Sequence, residues 1–214
     1  IPSYDTNEEH ANGYKALNTT QKRNAVSVLE NLENIIDIDV SESKNSFNLN
    51  TFAVALNKQE GTGGYARYPN DGYAGGDIFL NDYSYNATLG NGTYGASTFV
   101  HELGHALGLK HPFDNENALG NVADPPYLQG SENHGRWTMM SYTRTGAEYK
   151  LSFSELDIAA LQYIYGPSKT ARTDDDTYSY KFYSANFIWD GGGEDTIDAS
   201  SSTSKVTISL EPGF

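Results

Sequence analysis

Apolar positions along the chain fall into a few short periodic runs separated by polar, glycine-rich stretches. From Thr19 to about Ile36, Ala25, Val28, Leu29, Leu32, Ile35 and Ile36 recur at helical spacing and predict one amphipathic helix, with Asn18 and Gln21 placed to cap its start. Four short runs rich in aromatic or β-branched residues follow, bounded by Gly, Asn and Asp clusters. They predict strands at Ile38–Val40, Phe52–Leu56, Tyr65–Tyr68 and Asp77–Leu80. A second helix is expected from about Ala96 to Leu107, with Phe99, Val100, Leu103, Ala106 and Leu107 facing a core. A third runs from Ser154 to Tyr165, where Ser154 and Asp157 have capping spacing and Gly166-Pro167 ends it. The two flanking polar runs, Ile1–Asn18 and about Phe113–Arg136, predict loops, and their histidines, His10 and His134, are expected to be ordinary solvated or loop side chains. Helices around a small set of strands predict an α+β catalytic-size domain over residues 1–167. Beyond Pro167 the composition turns acidic and glycine-rich, which predicts a separate short β-rich segment over 168–214.

Composition narrows the functional classes. The chain has 214 residues, a formal charge of −14 and a pI near 4.6, so no basic face is available for nucleic acid. With no cysteine, neither a disulfide framework nor a thiolate metal site can form. No apolar run approaches the ~20 residues needed to span a membrane, and no signal-peptide core is visible. The first residue, Ile1, suggests processing or trimming. The expectation is a monomer without membrane or nucleic-acid partners.

Candidate chemistry concentrates in one stretch, His101-Glu102-Leu103-Gly104-His105-Ala106-Leu107-Gly108-Leu109-Lys110-His111. His101 and His105 are one helical turn apart and project from one face. Gly108 permits the positive φ of a helix end, so the chain can turn and bring His111 to the same cation. Three neutral imidazoles leave a coordination position open, the pattern of a catalytic rather than a structural zinc. Glu102 is placed to take a proton from an attacking water and pass it to a leaving amine. A lone histidine on a helix is usually a surface or core residue. Five required residues at this spacing coincide by chance with a frequency on the order of 10⁻⁷.

The motif His-Glu-x-x-His-x-x-Gly-x-x-His resembles the metzincin metalloprotease signature, and Pro112 directly after the third histidine resembles its serralysin subfamily. Thr138-Met139-Met140-Ser141-Tyr142 supplies the Met-turn that the family needs. The resemblance implies a metzincin zincin-like fold, with Met140 as the hydrophobic floor beneath the imidazoles and Tyr142 as a displaceable fifth zinc ligand that later donates to the oxyanion. It also implies that Gly64, Tyr65 and Ala66 belong to an edge strand that holds an extended peptide across the metal, giving broad specificity. Asp157 is expected either to cap its helix or to brace the Met-turn backbone, and Trp137 to wall the pocket or cover that turn.

The stretch Trp189–Asp198 similarly resembles the first turn of a calcium β-roll. The likeness implies calcium bound by Arg172 and Asp174 through backbone oxygens and by Asp176, Asp190, Gly192 and Asp195, with Gly193 and Asp195 beginning a second site. Asp174 and Asp176 stand where the family has a small residue and threonine. The whole reading is a secreted, extracellular zinc endopeptidase that needs Zn²⁺ and Ca²⁺ and acts on protein or peptide substrates. Its rival is a calcium-stabilised binding or adhesion module with a vestigial zinc site.

Overall fold

The computed structural model describes residues 9–44, 50–70, 72, 74–113, 125–145, 149–179 and 188–208. The polar runs expected at Ile1–Asn18 and Phe113–Arg136 therefore lie partly outside the described residues, over 1–8 and 114–124. The architecture is α+β. Strands β1 (Lys15–Ala16), β2 (Val54–Asn57), β3 (Gly64–Ala66) and β4 (Ile78–Asn81) form a mixed sheet in the order β1-β2-β4-β3. Its β2–β4 pair is parallel, while β1–β2 and β3–β4 are antiparallel. Helices α1 (Thr19–Glu33), α2 (Tyr94–Ala106) and α3 (Glu155–Tyr165) complete the main body. Strands β5 (Thr177–Ser179) and β6 (Thr196–Asp198) pair in parallel as a separate ladder.

Period-2 burial explains how the sheet is covered. Leu56, Ile78 and Leu80 join the core formed with Val28 and Leu32 of α1 and Phe99, Val100 and Leu103 of α2. Phe79 points to the opposite face, where Tyr65 stacks on it at 5.2 Å and 22°. β4 is thus buried on both faces and holds β3, at the edge of the sheet, in position.

The first helix begins as the pattern predicts. Asn18 accepts the Gln21 amide at 2.9 Å and the Gln21 side chain accepts the Asn18 amide at 2.8 Å, a reciprocal capping box. Its end corrects the reading: Asn34 caps the helix, and Ile36 is fully buried because it bridges to Pro167 as the chain returns past it. The strand expected at Ile38–Val40 does not form. Among the described residues no strand pairs with it, and the Val40 amide donates to the Glu33 carboxylate at 2.6 Å instead. Conversely, β1 forms inside the segment read as a loop, because Lys15 and Ala16 find partners in Leu56 and Ala55.

Candidate metal centre and cleft

α2 starts at a Thr93 cap, whose hydroxyl accepts the Ala96 amide at 3.2 Å. It ends in a Schellman turn: Leu109 N–H donates to Gly104 C=O at 2.8 Å and Gly108 N–H to His105 C=O at 3.0 Å, with Gly108 at φ +98°. The expected reversal therefore forms, and it brings His111 back over the helix. His111 Nε2 lies 3.2 Å from His101 Nε2 and 3.1 Å from His105 Nε2. Tyr142 Oη is 3.0 Å from the same nitrogen, on a side chain 60% exposed to solvent.

Hydrogen bonds fix the tautomers. His101 Nδ1 faces the Met139 carbonyl at 2.8 Å and His105 Nδ1 faces the Leu109 carbonyl at 2.8 Å. A carbonyl only accepts, so both Nδ1 atoms carry the proton and both Nε2 atoms turn lone pairs inward. His111 can offer a proton to only one of them. A cation is what satisfies all three nitrogens, and tetrahedral zinc with ordinary Zn–N bonds sets such nitrogens about 3.3 Å apart. The residues present fit that ion. Protonation, the alternative, is disfavoured: burial, reinforced by the neighbouring imidazoles, holds His101 well below the usual histidine range and His105 at about 4, and burial lowers His111 as well.

Glu102 is 7% exposed and burial pushes its carboxyl up to about 8, opposed by the Arg144 guanidinium. A dication among the imidazoles would pull it back toward the carboxylate. Opposite Glu102 stands the edge strand. A Cβ added at Gly64 would sit 3.0 Å from Glu102 Cγ, so the absent side chain lets backbone and carboxyl approach closely. Ala66 turns to the same side and packs on the core, while Tyr65 points away.

Beneath the imidazoles, the Met140 sulfur occupies the space that a side chain at Gly104 would need. Met140 is 2% exposed. Asp157 serves both expected roles: its carboxylate accepts the Ser154 amide that opens α3 and also the Met139 amide of the Met-turn. Trp137 sits on the α3 side of that turn, its carbonyl accepting the Leu156 amide at 3.0 Å. His134 is a loop residue, accepting the Arg136 amide at 3.2 Å.

His10 corrects the sequence reading. It is not a free solvated side chain: Nδ1 contacts Tyr65 Oη at 2.6 Å and Nε2 contacts an Arg67 guanidinium nitrogen at 2.6 Å, tying the N-terminal segment to the outer side of the edge strand. Arg144 also went unread. Its guanidinium donates to the Met139 carbonyl at 3.0 Å and to the Ser141 carbonyl, bracing the Met-turn. His10 depends on partners distant in sequence, whereas Arg144 reaches carbonyls only three and five residues back, and neither residue lies in a periodic pattern that would mark it.

In the second ladder, carboxylate oxygens of Asp176, Asp190 and Asp195 lie within 4.8 Å of one another. The Asp195 side chain accepts the Asp176 amide at 3.0 Å, Asp190 accepts the Gly192 amide at 2.8 Å, and the Tyr178 hydroxyl donates to Asp190. The Arg172 carbonyl accepts the Gly191 amide at 2.9 Å, and the Asp174 carbonyl lies against Gly193. The side chain of Asp174 is outside the acidic cluster. Converging hard oxygens fit calcium rather than zinc.

Comparison with known proteins gives consistent findings. The profile of the family described as Peptidase M66 matches residues 2–166. The chain is 37% identical over 178 aligned positions to a serralysin of Proteus mirabilis, covering 70% of this chain and 36% of that protein. It is 35% identical over 180 positions to serralysin C of Dickeya chrysanthemi, covering 72% and 36%. Against metallopeptidase AprA of Pseudomonas marginalis it is 30% identical over 234 positions, covering 95% and 49%. The chain thus spans between about a third and a half of the length of these curated relatives.

Proposed function

Because this chain belongs to the peptidase M66 family and is of serralysin type, we propose that it is a zinc-dependent endopeptidase that cuts extended protein substrates with broad specificity. The observation that carries the reading is the convergence of His101, His105 and His111 Nε2 atoms beside a buried carboxyl and under an open sheet edge. Zinc held there supplies Lewis acidity, polarising the scissile carbonyl and making water a usable nucleophile near neutral pH. Glu102 takes the proton from the attacking water and returns it to the departing amine. Tyr142, hinged on the exposed side of the Met-turn, donates its hydroxyl hydrogen to the developing oxyanion. Gly64, Tyr65 and Ala66 hold the substrate main chain as an added strand, and main-chain pairing selects little by side chain. Met140 supports the imidazoles from below.

The remaining assignments follow the same reading. Residues 1–167 form the catalytic domain and 168–214 begin a calcium β-roll. Calcium is held by the Asp176, Asp190 and Asp195 carboxylates with the Arg172, Asp174 and Gly192 backbone, and Gly193 with Asp195 opens a further site. The protein works as an extracellular monomer without nucleic-acid or membrane partners. No described helix is long and apolar enough to cross a membrane.

The test is Glu102→Ala. The variant is expected to keep its fold and bind zinc while losing hydrolysis of casein and of peptides. Retained cleavage would remove Glu102 from its role. A wild-type chain that binds zinc yet cleaves nothing at any pH would point instead to a calcium-stabilised binding module.

A further inference from the structure

The face of α2 that carries Glu102 continues away from the imidazoles. Thr98 and Tyr94 precede Glu102 by one and two turns and share that face. The backbone leading into β3 runs alongside. A side chain at Gly64 would meet Glu102 Cγ at 3.0 Å, and one at Gly63 would meet Thr98 Cγ2 at 3.3 Å and Tyr94 Cε1 at 3.6 Å. Helix side chains and glycine backbone thus pack directly on each other from the carboxyl to the start of α2. Where that contact ends, a cleft of about 500 Å³ opens, lined by Gly61, Thr62, Gly63, Tyr83, Tyr85 and Tyr94.

Three phenol rings dominate this opening. Tyr85 meets Tyr83 with ring centroids 5.5 Å apart and Tyr94 at 5.1 Å with planes at 86°. Tyr83 is 49% and Tyr94 46% exposed, so two rings stand in solvent on either side of a half-buried third. Aromatic pairs favour such tilted and edge-on arrangements, and exposed rings beside a cleft leave that preference available to an incoming ring. No charged side chain lines the slot, and two of the residues opposite the rings carry no side chain at all.

Distance along α2 sets the position of the occupant relative to Glu102. Tyr94 precedes Glu102 by eight residues (102 − 94), or about 12 Å of helix at 1.5 Å per residue. An extended peptide advances about 3.4 Å per residue, so ~12 Å corresponds to three or four residues. Resting on the peptidase reading above, we infer that the tyrosine slot is a specificity subsite for an aromatic side chain of the substrate three or four residues from the scissile bond. Main-chain capture by β3 then remains tolerant near the cut, and selection is exerted at a distance.

The experiment uses internally quenched peptides, identical except for phenylalanine or alanine at each position two to five residues either side of the cut. Zinc-loaded wild type is compared with the Tyr83→Ala/Tyr94→Ala double variant and with Tyr83→Phe/Tyr94→Phe, folding being checked by circular dichroism. Wild type should gain roughly tenfold in kcat/KM from phenylalanine at the third or fourth position on one side, in keeping with the energy of a well-placed aromatic contact. The alanine pair should reduce that ratio to within about twofold, and the phenylalanine pair should keep it. Zinc-loaded Glu102→Ala should bind the favoured peptide more tightly than its alanine counterpart, read by fluorescence anisotropy. Cleavage without positional preference, or preference that survives the alanine pair, overturns the subsite and leaves the peptidase reading standing. Absence of any cleavage by wild type overturns both.

Discussion

Asp157 and His101 are joined through one residue of the Met-turn: Asp157 Oδ2 accepts the Met139 amide at 2.7 Å, and the Met139 carbonyl faces His101 Nδ1 at 2.8 Å. The closing helix therefore orients a candidate zinc ligand that lies far from it in sequence. Asp157→Ala would strand three buried donors, the Met139 and Ser154 amides and the Thr138 hydroxyl. A loss of about 3 kcal/mol in stability is expected, together with a fall in zinc affinity of roughly tenfold or more. Denaturant unfolding and competition against a chelator measure the two effects. Lost stability with unchanged affinity would confine Asp157 to capping α3.

The pH dependence of that residue has a definite sign. Burial raises the Asp157 carboxyl above its ordinary value of 3.8, despite opposing hydrogen bonds from Met139, Thr138 and Ser154. With a folded pKa above the unfolded one, the native state binds the extra proton between the two values, so stability from this group declines as pH rises through that window and is level above it. In metal-free protein, the stability advantage of wild type over Asp157→Asn should shrink from about pH 4 toward neutrality. An advantage that grows over that range would mean that the hydrogen bonds outweigh burial.

Gly104→Ala tests the contact between ligand helix and Met-turn. Alanine in place of glycine inside a helix ordinarily stabilises by about 1 kcal/mol. Here the added methyl meets the Met140 sulfur, with a Phe153 ring carbon 3.5 Å away. Overpacking costs typically 1–3 kcal/mol, so a net loss of about 1 kcal/mol and weaker zinc binding are expected, although no imidazole is altered. Calorimetry with and without zinc reads both. A raised melting temperature would show that Met140 moves aside freely.

Tyr142→Phe removes only the hydroxyl 3.0 Å from His111 Nε2. Turnover should fall by roughly a hundredfold while KM and zinc content change little, as for loss of one oxyanion donor. Steady-state kinetics and metal analysis decide it. An unchanged kcat would exclude the phenol from the reaction.

Calcium should raise the melting temperature at millimolar concentration by relieving the mutual repulsion of Asp176, Asp190 and Asp195. Asp195→Ala should abolish the shift and leave zinc affinity intact. A shift that persists in the variant would place the calcium elsewhere.

What the sequence made legible depended on how far apart interacting residues lie. His101, His105 and Gly108 act within one helix and its end, and their spacing alone implied the geometry found. The apolar stripe of α1 was equally readable up to Leu32. Ile36 was misassigned because burial by a returning segment, here Pro167, looks the same as burial on a helical face. Ile38–Val40 has the β-branched composition of a strand but no partner strand among the described residues, whereas Lys15 and Ala16 lack that composition and still pair with β2. His10 acquires its role only from contacts more than fifty residues away, while Arg144, whose partners are near in sequence, carried no pattern to mark it.

The turn at Gly108 is also held from the far end of the domain. Tyr165 donates its hydroxyl to the Leu107 carbonyl at 3.0 Å, and Ile164 lies 4.0 Å from where a side chain at Gly108 would be. The three imidazoles are therefore encoded early and locally, but the clasp that keeps the last of them in place is encoded some fifty residues later (165 − 111 = 54). On a chain emerging from the ribosome, a nascent product cut short before Tyr165 would carry every ligand and still lack the grip. Zinc should accordingly bind such a shortened product more weakly than the longer chain that includes Tyr165.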